Sequence, residues 1–258
     1  MLQSLKDFAI SLGVEPWARP IWNLLTNKKL DKYDSQISAV IKSELATNAV
    51  CVDVGCHKGL ILDMLIRQCP SGTFYAFEPI PYLYDLLRRK YRHVTRVHLF
   101  DIALNSETGS VPFHINTTSP GLSGLHRREL PKDSASLRTI EIRTDRLDNC
   151  LKGIKPDFIK IDVEGAELRV LQGARDVISS CHPLIVFEHG IGGADFFRAT
   201  PEHVFDLLDH CGMKISTIGD FLAALEPLSR DLFCRQYHER LNYYFIAHPF
   251  VRGQSCVR

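Results

Sequence analysis

The chain has 258 residues, 45% of them apolar and 24% charged, with a formal net charge of +1. That length suffices for one large domain with a well-buried core, and near-neutrality offers no general basic field for nucleic acid. Eight scattered cysteines without a C-x-x-C pair exclude a zinc-ribbon spacing and suit reduced thiols in a cytoplasmic protein better than a disulfide framework.

Residues 1–47 read as a helical preface. Leu2, Leu5, Phe8, Ala9 and Leu12 recur at helical spacing, as do Ile37, Val40, Ile41 and Leu45. Lys6, Asp7, Glu15 and Arg19 interrupt the first stretch, so neither a secretory leader nor a membrane span is expected. Trp17 and Trp22 flank Pro20 and offer a face for touching a membrane or forming a homodimer.

From about residue 48 to 258, strand and helix patterns alternate. Val50–Val54 is the first strand and Thr73–Phe77 the second, with a helix pattern over 60–69 between them. A helix striped by Tyr82, Leu83, Leu86 and Leu87 leads to a third strand, Val97–Phe100. Ser110–Ile115 and Thr139–Arg143 read as extra strands. Phe158–Val163 is strand four, and Leu168, Leu171, Ala174 and Ile178 stripe one helix after it. Leu184–Phe187 is strand five, residues 201–211 form a helix closed by Gly212, and Lys214–Ile218 and Tyr243–Ala247 complete the sheet. The expected fold is α/β: a doubly wound, mostly parallel, Rossmann-like sheet. Ligands in such sheets bind beyond the carboxyl ends of the strands, where Asp53, Glu78, Asp101, Asp162 and Glu188 fall.

The turn after strand one reads Asp53-Val-Gly55-Cys56-His57-Lys-Gly59, and strand two ends at Glu78-Pro79. This D-x-G-x-x-x-G turn lacks the glycines of a dinucleotide fingerprint, and Asp53 would repel a pyrophosphate. A carboxylate there suits a ligand bearing an ammonium and a sulfonium, and Glu78 can accept from two ribose hydroxyls. S-adenosylmethionine carries all three groups.

On these residues the chain resembles the FkbM-type S-adenosylmethionine-dependent methyltransferases. The resemblance rests on Val52–Gly59, Phe77–Pro79, Ala103-Leu-Asn with Gly109, Thr144–Leu147, and above all Ile159-Lys-Ile-Asp-Val-Glu-Gly-Ala-Glu167. It covers roughly residues 48–190 and departs from the family at Cys56 and His57, where small or amide residues are usual. It implies a class I methyltransferase domain over 48–258, capped by 1–47, with Tyr33 and Asp34 as possible lid contacts. The implied activity is O-methylation of a hydroxyl on a sugar, glycolipid or polyketide-like molecule.

Cofactor contacts are expected from Asp53, Gly55, Cys56, His57, Gly59, Glu78, Pro79, Asp101, Ile102 and Asp162. Asp101 would reach the adenine amino group, and Ile102 would add a backbone contact. His189 is the expected general base, because its ordinary pKa lies near neutrality and it follows strand five directly. A strand-end histidine bonded to a backbone carbonyl fits its position equally. Glu188 would orient it, and Asp162 would meet the donor or the acceptor while capping the helix near Glu164. Glu167 reads as structural. Asp162, Glu188 and His189 match no metal-ligand motif, and no metal is expected. Residues 116–138 read as a substrate-side flap or a solvated excursion, with Ser123, His126 and Glu164 as substrate contacts.

A dehydrogenase or epimerase is the alternative, disfavoured because Tyr84 and Arg88 poorly imitate a Tyr-x-x-x-Lys pair. A non-catalytic adenosine-binding module is the other. No Asn-Pro-Pro-aromatic or Asp-Pro-Pro-aromatic motif suggests a nucleic-acid substrate.

Overall fold

The computed structural model describes residues 32–116, 121, 123–126 and 137–249. Two compact units divide the chain, Met1–Ser35 and Gln36–Arg258. Of the first, the described part is the opening turn of helix α1 (Lys32–Glu44), which holds Tyr33 and Asp34. The readings placed on residues 2–12, Trp17 and Trp22 lie outside the described residues, as does most of the 116–138 segment.

In the second unit β1 (Val50–Val54), α2 (Leu60–Gln68), β2 (Thr73–Phe77), α3 (Pro81–Tyr91) and β3 (Val97–Phe100) alternate. Next come β4 (Ala103–Leu104), β5 (Gly109–Asn116), β6 (Leu137–Asp145) and the short α4 (Leu147–Cys150). They are followed by β7 (Phe158–Ile161), α5 (Glu167–Gln172), α6 (Arg175–Cys181) and β8 (Leu184–Glu188). A 3-10 turn at Ala194–Phe197 precedes α7 (Pro201–His210), β9 (Met213–Thr217), α8 (Ile218–Leu222), α9 (Arg230–His238) and β10 (Tyr244–Pro249).

The main sheet has the order β3-β2-β1-β7-β8-β10-β9. All its pairings are parallel except those of β10, which runs antiparallel to both neighbours. Strands covered on both faces need apolar residues at every position. That explains the apolar runs of β1, β7 and β8, broken only by Asp53 in β1, Lys160 in β7 and the terminal Glu188 of β8; their Val52, Val54, Ile159, Ile161 and Phe187 share one buried core with Leu168, Leu171 and Ile178. Strand order reverses between β1 and β7, which opens a crevice at their carboxyl ends.

The two extra strands do not extend this sheet. β5 and β6 form an antiparallel hairpin, with β4 along β6, in a separate three-stranded sheet. Its apolar side chains, Ala103, Phe113, Ile115 and Ile142, pack with Ile80 and Leu83. The small sheet is thereby seated beside the tip of β2. Three further differences are local. The helix expected to run through Leu168–Ile178 breaks into α5 and α6 at Gly173, where a Cβ would stand 2.1 Å from the Asn105 carbonyl oxygen. Strand four stops at Ile161, and α8 and α9 carry no clear stripe in the sequence. Gly212 does close α7, at φ +77°.

Candidate active site

The turn after β1 is built by close approach. Gly55 sits at φ +73°, and a Cβ on it would lie 2.0 Å from the Asp162 carbonyl oxygen. Only glycine fits both the left-handed backbone and that gap. The amides of Gly55 and Cys56 donate to the Phe77 carbonyl at 3.0 and 3.2 Å, and the Asp162 amide donates to Val54 at 3.2 Å. The tips of β1, β2 and β7 are therefore tied together.

Glu78 is 4% exposed. Its Oε2 accepts from the His57 amide at 2.8 Å and its Oε1 from the Ile80 amide at 3.0 Å. Burial lifts its pKa to about 7, against the pull of those two amides. Each oxygen keeps a second lone pair for a ligand hydroxyl. Around it lies a cavity of about 190 Å³. Gly55, His57, Glu78, Pro79, Ile102, Ser123, Asp162 and Glu164 all line it, with apolar walls from Ala103, Leu104, Phe113 and Leu125. Nε2 of His57 is buried and has no hydrogen-bond partner among the described residues.

Behind the turn lies a charged knot. The β1–β7 register sets Lys160 beside Asp53. The Lys160 ammonium donates to the Gly55 carbonyl at 3.1 Å and lies 3.3 Å from Asp162 and 3.6 Å from Asp53. Burial alone would lower the Lys160 pKa, but Asp162 and Asp53 more than offset it and hold it above its ordinary value. Asp53 is pushed up by burial, against the pull of Lys160. Asp162 is held below the usual carboxylate range: burial opposes this, while Lys160, a 2.7 Å hydrogen bond from the Tyr244 hydroxyl, and Glu188 favour it. Glu188 donates to Asp162, and burial followed by its acidic neighbours lifts its pKa to about 9.

A second cavity, of about 460 Å³, opens on the far side of Glu164. Glu164, Glu167 and Glu188 line it together with the 190–194 loop, Tyr237, Arg240, Asn242 and Tyr243.

Several expected contacts fall elsewhere. Asp53, Cys56 and Gly59 do not line the first cavity. Asp53 and Cys56 are buried behind the turn, and Gly59 backs onto Tyr91. Asp101 is an exposed partner of Arg143 at 2.5 Å and does not line the cavity, whereas its neighbour Ile102 does. Asp162 caps no helix: α5 starts at Glu167, whose own Oε1 accepts from the Val163 and Gly165 amides at 2.9 and 3.1 Å. That agrees with the structural reading of Glu167. The Ser123 hydroxyl accepts from the Asn116 amide at 3.0 Å, on the side of the first cavity. His126 stacks on Phe196 at 4.4 Å and lines neither cavity.

His189 departs furthest from expectation. It is 1% exposed, its ring lies 4.8 Å from Tyr237 and 6.0 Å from Phe233, and neither nitrogen has a hydrogen-bond partner among the described residues. It lines neither cavity and Glu188 turns to Asp162 instead, so His189 is not placed to act as a general base. Burial lowers its pKa from 6.5 to about 4. Between those values the unfolded chain binds the extra proton, so His189 contributes stability above pH 6.5 that is lost as pH falls toward 4. His189→Phe is expected to flatten this acid limb, read as melting temperature against pH from 7 to 4. Equal acid sensitivity in both proteins would overturn the assignment.

Residues 53–215 match the methyltransferase FkbM domain. The chain belongs to this family. It is 29% identical over 161 residues to methyltransferase sdnD of Sordaria araneosa, covering 51% of this chain and 62% of that protein. It is 28% identical over 145 residues to 2-O-methyltransferase NoeI of Sinorhizobium fredii, covering 50% and 59%. With hexuronic acid methyltransferase AglP of Haloferax volcanii the identity is 31% over 188 residues, covering 71% and 70%. The match thus spans less than two thirds of the length of the first two relatives.

Two residues that matter to the site escape a sequence reading, Lys160 within the matched FkbM domain and Tyr244 beyond its last matched residue. Lys160 left a signal, a lone charge in an otherwise apolar central strand, since lysine is almost never fully buried without partners. Tyr244 left none, because its partner Asp162 is 82 residues away in the chain. Among the described residues no helix is long and apolar enough to cross a membrane.

Proposed function

We propose that the protein is an S-adenosylmethionine-dependent O-methyltransferase acting on a hydroxyl of a small acceptor, with sugars as the leading class. The observation that carries this is the first cavity: a buried carboxylate at the tip of β2 facing a glycine turn, between apolar walls. The residues present fit the donor. Glu78 has lone pairs for the ribose hydroxyls, Ile102, Leu104 and Phe113 suit an adenine ring, and the unpartnered Nε2 of His57 awaits a polar group. The sugar class draws on the named activities of two relatives, a 2-O-methyltransferase and a hexuronic acid methyltransferase.

When bound, the donor supplies an activated methyl group and leaves as S-adenosylhomocysteine. The chain's own residues do the rest. Asp162, ionised and lining the first cavity, accepts a hydrogen bond from the acceptor hydroxyl. It takes that proton as the oxygen–carbon bond forms. Tyr244, Lys160 and Glu188 fix its carboxylate. Holding the oxygen in line is the larger contribution, because the methyl needs no further activation.

S-adenosylhomocysteine should raise the melting temperature and NAD should not. The ionised form of Glu78 accepts hydroxyls best, and its pKa lies at about 7. Affinity for S-adenosylhomocysteine should therefore strengthen as pH rises from 6 to 8. Glu78→Gln should remove that slope and weaken binding by about 1.5–3 kcal/mol, roughly 10- to 100-fold. Stabilisation by NAD alone would end the reading, and a slope unchanged in the variant would remove Glu78 from it.

A further inference from the structure

The second cavity has the size of an ordinary ligand site and lies directly beside the first, sharing Glu164 with it. The Glu188–Asp162 hydrogen bond also joins them, one carboxyl lining each cavity. A molecule seated in the second cavity would thus present a hydroxyl at the edge of the first. Tyr237 and Tyr243 give its wall aromatic surface, and Asn242 and Glu188 add hydrogen-bonding groups.

Arg240 stands apart in this lining. It is the one basic side chain there, and no carboxylate among the described residues pairs with it. Its backbone is firmly held. The Arg240 amide donates to the Tyr237 carbonyl at 3.1 Å and the Leu241 amide to the Gln236 carbonyl at 3.0 Å. These are the paired hydrogen bonds of a left-handed helix C-cap, and Arg240 sits in it at φ +54°. Glycine is the usual residue at this position, and a side chain there costs on the order of 1 kcal/mol. A long cationic side chain thus occupies a strained position, lining a cavity, with no carboxylate partner among the described residues.

We propose that the second cavity is the acceptor site and that Arg240 selects an acceptor carrying an anionic group, a carboxylate or a phosphate, on a hydroxylated ring. The guanidinium fork matches either anion with two parallel hydrogen bonds. Glu188 gives its one proton to Asp162, so it meets such a molecule as a neutral group and does not repel it. The ring would lie against the tyrosines, with one hydroxyl directed toward Asp162.

This rests on the methyl-transfer reading, and the experiment separates the two. Protein saturated with S-adenosylhomocysteine is titrated by calorimetry with methyl glucuronide, glucose 6-phosphate and the neutral methyl glucoside. At least one charged probe should bind about 10-fold or more tightly than the glucoside, from the charge-assisted pair. The better of the two identifies the anion. Arg240→Gly should erase that preference, leave S-adenosylhomocysteine affinity unchanged, and melt no lower than the parent, because glycine relieves the left-handed backbone. Equal binding of charged and neutral probes, a preference that survives in Arg240→Gly, or no binding of any probe would each overturn the proposal. Failure of S-adenosylhomocysteine itself to bind would instead overturn the methyl-transfer reading.

Discussion

Lys160→Met is expected to lower the free energy of unfolding by about 3–5 kcal/mol at pH 7. The ammonium is buried in the middle of β7, within 3.6 Å of both Asp53 and Asp162, and it holds the Gly55 carbonyl. Methionine matches its length but leaves two carboxylates with no cation beside them. Breaking one side of a buried ion pair is costly because the uncompensated charge stays behind. Asp53, 1% exposed, has no route to solvent. Asp53→Asn in the Lys160→Met background should recover part of the loss, giving a coupling energy in a double-mutant cycle. Urea unfolding of the four proteins measures it. A loss under about 1 kcal/mol for Lys160→Met would mean that the knot is not held by charge.

Gly55→Ala is expected to destabilise by roughly 2–5 kcal/mol, from a left-handed non-glycine residue together with an overpacked contact. The obstacle is backbone: the new methyl would meet the Asp162 carbonyl oxygen at 2.0 Å and its carbon at 3.1 Å. To admit it, the ends of β1 and β7 must separate, which displaces Asp162 and the cavity wall together. Binding of S-adenosylhomocysteine should fall with stability. Gly153→Ala is the control. Gly153 has φ +80° but nothing within 4 Å of an added Cβ, so only the backbone preference is lost there, about 1 kcal/mol. Equal effects at the two sites would show that the close approach at Gly55 carries no weight.

The parts legible in sequence were those governed by local rules. Mostly apolar runs marked β1, β2, β7 and β8, and glycine and acid spacing marked the Gly55 turn and Glu78. Pairing across distance was not legible. Ser110–Ile115 and Thr139–Arg143 alternate as strands should, but nothing in that alternation says which sheet they join. His189 illustrates the same limit. A histidine after a strand has one sequence signature whether it faces a substrate or stacks under a helix, and α9 supplies the Phe233 and Tyr237 that bury it. Asp101 looked equivalent to Glu78, each ending a strand, until Arg143 of β6 took it outward.

The position of β10 sets a temporal order on the ribosome. This strand lies inside the sheet, between β8 and β9, yet it follows both in the chain. While it is still in the exit tunnel, β8 and β9 have no bond to one another and β8 shows an open edge, a surface prone to wrong pairing. The same late strand carries Tyr244, the hydroxyl that fixes Asp162. A chain interrupted in translation before this point would have the first cavity lined, but Asp162 would lack the Tyr244 hydrogen bond that completes its hold by Lys160 and Glu188. The nascent protein is therefore built to form the cavity first and to finish tying down Asp162 last.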